Sequence, residues 1–131
     1  MVNKGIASER KMLRELYVNG FVGVRTAGSG GGTKEPKPDV LAGKNGKQFA
    51  IELKTSDHED IYIQEAQIEG LIEFAREFGA VPMVCVKFKR LPYVFMRIND
   101  VRHTGGHMYH VSKNQARRMK NENRYLLDCY C

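Results

Sequence analysis

The stretch Gln48-Phe49-Ala50-Ile51-Glu52-Leu53-Lys54 constrains the fold more than any other part of the chain. Phe49, Ile51 and Leu53 alternate with Ala50, Glu52 and Lys54, the period of a strand. Gly43-Lys44-Asn45-Gly46-Lys47 precedes it as a turn, and Val40 to Ala42 before that turn reads as the partner strand, so the segment predicts a hairpin. Pro38-Asp39 opens the partner strand. Alternation puts Glu52 and Lys54 on one face, about 7 Å apart along the strand, and the hairpin lets Asp39 face the same side. Two hard oxygen ligands from adjacent strands suit Mg²⁺, with Mn²⁺ as a substitute, because such an ion keeps several waters and accepts a phosphate oxygen. Lys54 would then orient or help activate a water, or stabilise charge, during metal-assisted in-line attack on a phosphodiester. Alone, an Asp…Glu-x-Lys pattern recurs on many solvated strands. Its surroundings decide what it means.

Lys4 to Asn19 reads as a helix, with Met12, Leu13, Leu16 and Tyr17 at helical spacing and Asn19-Gly20 as its stop. Glu9 stands three residues before Met12 and seven before Leu16, so it shares the apolar stripe. A carboxylate on an inward stripe needs a partner, since burying it unpaired is costly; the alternative is a Glu at the stripe's edge reaching water. Phe21 to Arg25 is a short strand, and residues 27–38 form a Gly-rich, basic loop without core-forming side chains. That loop lacks the Gly-Lys-Ser/Thr ending and following helix of a Walker loop. Beside Asp39, its backbone amides and lysines can meet DNA phosphates.

Thr55 to Asp60 reads as a polar loop, about Gln64 to Phe78 as a helix ended by Gly79, and Val81 to Phe88 and Tyr93 to Ile98 as strands. After Asn99 the periodicity weakens, although the basic segment Asn114 to Asn123 suits a helix. Helix, strands, helix, strands predicts an α/β fold, a mixed sheet flanked by helices. With 131 residues, the chain is expected to form a single domain, residues 1–131, in which residues 100–131 are poorly assigned.

A charge balance of 21 basic against 15 acidic residues, net +6, favours phosphate-bearing partners, because backbone neutralisation releases counterions. It is equally compatible with a merely basic soluble protein. No apolar run reaches membrane-spanning length and no apolar leader opens the chain, so a cytoplasmic, DNA-associated protein without a membrane partner is expected. Three cysteines cannot all pair within one chain; Cys85 reads as a small buried hydrophobe in a reducing compartment. His103, His107 and His110, with Cys129 and Cys131, lack a tight zinc-ligand spacing and read as polar surface. No Ser or Cys nucleophile has a base at a recognisable spacing.

The combination Gly5, Ala7-Ser8-Glu9-Arg10, Gly20-Phe21, Val24-Arg25-Thr26-Ala27-Gly28-Ser29, Pro38-Asp39 and Ile51-Glu52-Leu53-Lys54 resembles the archaeal Holliday junction resolvases. Leu71 to Ala80, Pro82 and Val86-Lys87-Phe88 extend the likeness, which covers roughly residues 4–98 in the right order. The Gly-rich segment before Pro38 is longer than in shorter members. The resemblance implies a restriction-endonuclease-like fold and a homodimer that nicks a four-way DNA junction symmetrically, with no small-molecule cofactor. It implies that Asp39 and Glu52 hold the metal, that Lys54 assists the water and that Glu9 is a further catalytic carboxylate joining the metal site. Arg10 and Arg25 then serve activity near the phosphate, and Ser29 matches a serine that some members need for cleavage; apart from the resemblance, Lys34 and Lys37 of the basic loop are expected as further phosphate contacts. The dimer surface involves the helix from Ile68 to Phe78, which makes Phe74 and Phe78 interface candidates, with an intramolecular core role as the alternative. A twofold pair of sites matches the symmetry of a junction.

Two further readings compete. A nuclease of the same fold acting on duplex or flapped DNA would cut linear substrates as well. A non-catalytic basic binding module would bind DNA in a salt-sensitive way and hydrolyse nothing.

Overall fold

The computed structural model describes residues 4–26 and 37–131. A helix, α1 (Lys4–Val18), leads into strands β1 (Val22–Arg25), β2 (Val40–Lys44) and β3 (Lys47–Ser56). Then follow β4 (Asp60–Gln64), α2 (Glu65–Phe78), β5 (Val81–Phe88), β6 (Tyr93–Arg97), β7 (Arg102–His103), β8 (Met108–Ser112) and α3 (Lys113–Asn121). A five-stranded sheet has the order β1-β2-β3-β5-β6, and a three-stranded sheet the order β4-β8-β7. β3 pairs parallel with β5 across the α2 crossover, whereas β1–β2, β2–β3 and β5–β6 are antiparallel, so the large sheet is mixed. This is the α/β architecture that the hairpin and the helix–strand order predict.

Alternation along β3 divides the core into two layers. Phe49, Ile51 and Leu53 pack with Met12, Leu16 and Phe21 from the α1 side, joined by Val40, Met83, Cys85 and Leu127. Ala50 packs with Val84, Val86, Ile68, Leu71 and Ala75 under α2, and this second layer runs on to Val111, Ala116 and Met119. Gly79, in the left-handed region at φ 86°, ends α2 with its amide donating to Ala75, a conformation that favours glycine. Gly46 does the same for the β2–β3 turn beside Asn45, at φ 83° and 52°.

Four details depart from the sequence reading. Tyr17 is exposed instead of lying on the apolar stripe, and its hydroxyl donates to the Gly23 carbonyl. β3 continues to Ser56 because β5 accompanies it that far, so part of the expected polar loop is strand. β4 was hidden in a short, polar-flanked segment whose buried residues are Ile61 and Ile63. β8 pairs with β4 from a distance of 50 positions, a non-local contact that local periodicity does not report. The three histidines lie on this small sheet or in its β7–β8 turn: His103 is hydrogen-bonded to Glu65 and His110 to Asp60, and His107 Nδ1 lies 3.5 Å from Glu65 Oε1. Among the described residues all three cysteines are free, and no helix is long and apolar enough to cross a membrane.

Close contact between α1 and the sheet depends on Gly23. A Cβ there would stand 2.6 Å from the Leu41 carbonyl oxygen and 3.0 Å from Leu13 Cδ1. Gly23→Ala is therefore expected to cost about 1–3 kcal/mol through overpacking, read as a melting temperature lower by several degrees. An unchanged melting temperature would mean that α1 and β1 are free to move apart.

Candidate active site

β2 begins at Val40, which lies opposite Ile51, so β3 outruns its partner beyond that pair. The Leu53 amide would then have no strand acceptor on this side, a costly state for a buried backbone group. Asp39 resolves it: its own amide donates to the Ile51 carbonyl and its Oδ2 accepts from the Leu53 amide at 2.8 Å. Thr26 fixes the approach to Asp39, its hydroxyl donating to the Pro38 carbonyl and its amide to the Asp39 carbonyl. The aspartate is thus locked where the two strands separate.

Glu52 and Lys54 follow Ala50 on the α2-side face of β3, where the apolar covering gives out. Their side chains are only 13% and 27% exposed, and Lys54 Nζ lies 3.7 Å from Glu52 Oε2. Glu9 arrives from α1. Its side chain is 14% exposed and accepts from Arg25 Nε at 3.1 Å, which identifies the partner an inward carboxylate requires. α1 is pinned in this register by Tyr93 of β6, whose hydroxyl donates to the Ser8 carbonyl and also meets Ser8 Oγ.

Three carboxylates face two cations, and the electrostatics follow. Burial, then repulsion from Asp39, with a further push from Glu9, raises Glu52 to about 7 against the pull of Lys54. Burial raises Asp39, partly countered by the Leu53 amide, Lys54 and Arg25. Burial and Asp39 raise Glu9 against the Arg25 contact. All three acids are therefore held in an environment that disfavours their negative charge and calls for a cation.

Among the described residues no group of three or more His, Cys, Asp or Glu side chains converges as a preformed metal cage. Arg10 and Lys37 are solvent-exposed, at the α1 surface and just before Asp39. Ser29 and Lys34 lie outside the described residues. Phe74 packs partly against the α2-side core and stacks on Phe78 at 5.3 Å between ring centroids, while Phe78 is 48% exposed.

What the sequence reading missed at this end of the sheet is a set of cations around the β5–β6 turn, Lys87, Lys89 and Arg90, together with Lys11 of α1. Their signal was present as the basic run Lys87-Phe88-Lys89-Arg90.

A mixed sheet carrying acids and a lysine at the end of a central strand, beneath a helix that adds another acid, is the frame of an α/β nuclease. The family model described as archaeal Holliday junction resolvase (Hjc) matches residues 1–125, so the match includes the region beyond Asn99 that the motifs left aside. The chain belongs to that family. It is 36% identical over 104 residues to the crossover junction endodeoxyribonuclease Hjc of Archaeoglobus fulgidus, covering 79% of this chain and 76% of that protein. The protein of the same name from Sulfolobus acidocaldarius is 35% identical over 102 residues, 77% of this chain and 71% of its own length. A crossover junction endodeoxyribonuclease of Sulfolobus islandicus rod-shaped virus 1 is 34% identical over 91 residues, covering 67% of this chain and 74% of its own. A solved structure of the Archaeoglobus fulgidus Hjc superposes with a TM-score of 0.77 at 31% identity, covering 84% of this chain and 89% of that one.

Proposed function

We propose that this chain is a crossover junction endodeoxyribonuclease that resolves four-way DNA junctions by paired nicks, acting as a homodimer with Mg²⁺ or Mn²⁺. The observation that carries this reading is the lock on Asp39 by the Leu53 amide beside Glu52 and Lys54, in a chain of this family. The donor set fits a hard divalent ion: oxygen ligands only, half-buried, and mutually repelling in its absence. Asp39 and Glu52 would hold the ion and Glu9 would add a third negative charge; since Mg²⁺ retains several waters, no closed protein cage is needed. Bound there, the metal supplies Lewis-acid stabilisation of the phosphodiester and a more acidic water.

The chain's own groups do the rest. Lys54, held near Glu52, orients the attacking water and stabilises charge on the phosphate. Arg25 holds Glu9 through Nε, leaving its other guanidinium nitrogens available to a phosphate. Arg10, Lys34 and Lys37 contact the backbone, and Ser29 contributes to cleavage. Recognition is of junction shape and backbone, since phosphate contacts position the duplex without reading bases.

The dimer reading rests on an apolar surface. Tyr17, Val22, Val24 and Phe78 are each about half exposed or more, and together line a shallow groove floored by Leu41 and Phe49. Contiguous exposed apolar surface of this kind marks an interaction site. A second copy, related by a twofold axis, would cover it and set two sites against two equivalent phosphates. Phe78→Glu is expected to give a folded monomer by sedimentation that no longer linearises a plasmid carrying an extruded cruciform through paired nicks. A dimer that persists in this variant, with paired nicking intact, would remove Phe78 from the interface.

A further inference from the structure

An open groove of about 400 Å³ runs beside the site, between the first half of α1, the end of β3 and the β5–β6 turn. Ser8 of its wall precedes Glu9 on α1, and Thr55 follows Lys54 on β3 but on the opposite, α1-side face, so the groove shares two elements with the candidate site at this end of the sheet. Lys11, Lys87, Lys89 and Arg90 line it against a single acid, Asp57. Lys87 is partly engaged, donating to the Phe88 carbonyl and lying over the Tyr93 ring. Lys11, Lys89 and Arg90 are exposed, and among the described residues no ion pair occupies them.

The turn adds a second observation. Arg90 sits at φ 67°, in the left-handed region that a non-glycine residue adopts at a cost. Glycine would make this turn more easily. An arginine there keeps a guanidinium at the groove's rim despite the backbone preference.

We infer that this groove is a phosphate track for the sugar–phosphate backbone of one junction arm next to the cleaved phosphate, with Lys11, Lys89 and Arg90 as its contacts. It deepens the resolvase reading and rests on it. The Thr55 hydroxyl lines the same wall and can donate to a phosphate oxygen, whereas those of Ser8 and Ser56 are engaged with Tyr93 and the Asp60 carbonyl. Because α1 and β3 carry both the groove and the site, a backbone held in the groove would fix how the junction arm approaches the site.

The test measures junction binding by the full chain in EDTA across a salt series, for wild type and for a Lys11→Ala, Lys89→Ala, Arg90→Gly triple variant. A control removes the same charge from exposed positions of α3: Arg117→Ala, Arg118→Ala and Lys120→Ala. Each lost phosphate contact lowers the slope of log K against log salt by about 0.9, so the groove variant should lose about 2–3 units and the control far less. Arg90→Gly alone should melt no lower than wild type, which separates lost binding from a damaged turn. An unchanged slope in the groove variant, or an equal fall in the control, would overturn the track. A wild-type protein that binds no junction at any salt concentration would instead overturn the resolvase reading.

Discussion

Asp39→Asn and Glu52→Gln are each expected to lower junction cleavage on the order of a thousandfold or more while leaving junction binding within a few-fold of wild type. Both substitutions keep shape and remove a negative charge. In Asp39→Asn the side-chain amide oxygen can still accept from the Leu53 amide at the position now held by Asp39 Oδ2, so the strand separation survives. What is lost is the hard, charged oxygen that a divalent ion needs. Single-turnover cleavage of a labelled junction, beside a gel-shift titration of the same junction, checks both halves of the expectation. Cleavage retained in both purified variants would remove this pair from the chemistry.

The second large effect links the site to stability. Glu52 titrates at about 7 in the folded chain against an ordinary 4.5. A carboxyl whose folded value is raised binds more protons when folded than when unfolded between those limits. Its favourable contribution is therefore complete below 4.5 and is lost as pH rises through about 7. Asp39 and Glu9 are raised as well and act in the same direction. Above pH 7 the metal-free protein carries mutually repelling charges in a half-buried site. Relative to wild type, Glu52→Gln should thus gain about 1–3 kcal/mol between pH 5 and pH 8. Mg²⁺ at pH 8 should stabilise wild type and narrow that gap, because it binds the folded state selectively. Thermal melts of both proteins at the two pH values, with and without Mg²⁺, measure this directly. A melting difference that stays flat with pH would mean that Glu52 is not desolvated as described.

The same crowding of acids that weakens the metal-free protein would make it a receptor for a divalent ion, so a variant that melts higher should cut less. Proteins commonly keep such destabilised groups at functional sites.

The hairpin and the acids were legible because their signals are local. Phe49, Ile51 and Leu53 alternate with Ala50, Glu52 and Lys54 over seven residues, and the structure divides them between two core layers as that alternation implies. Glu9 was legible as an inward carboxylate from helical spacing, but its partner was not. Arg25 lies 16 positions away on another element, and only the packing of α1 on β1 brings the two together. The lock between Asp39 and Leu53 was likewise invisible, because it arises from β3 outrunning β2. That length mismatch is set by pairing with β5. The small sheet is not legible in the sequence, because β4 is short and its partner lies beyond α2 and the large sheet. Ser29, which the family resemblance singles out, and Lys34 of the basic loop fall outside the described residues.

The most direct measurement incubates an end-labelled four-way junction and a matched linear duplex with the pure protein, in Mg²⁺ and in EDTA. Paired, symmetric nicks in the junction, absent from the duplex and lost in EDTA, are the predicted result. Equal cutting of the duplex would make the chain a general nuclease, and binding without any cutting in Mg²⁺ or Mn²⁺ would contradict a catalytic role for Asp39, Glu52 and Lys54.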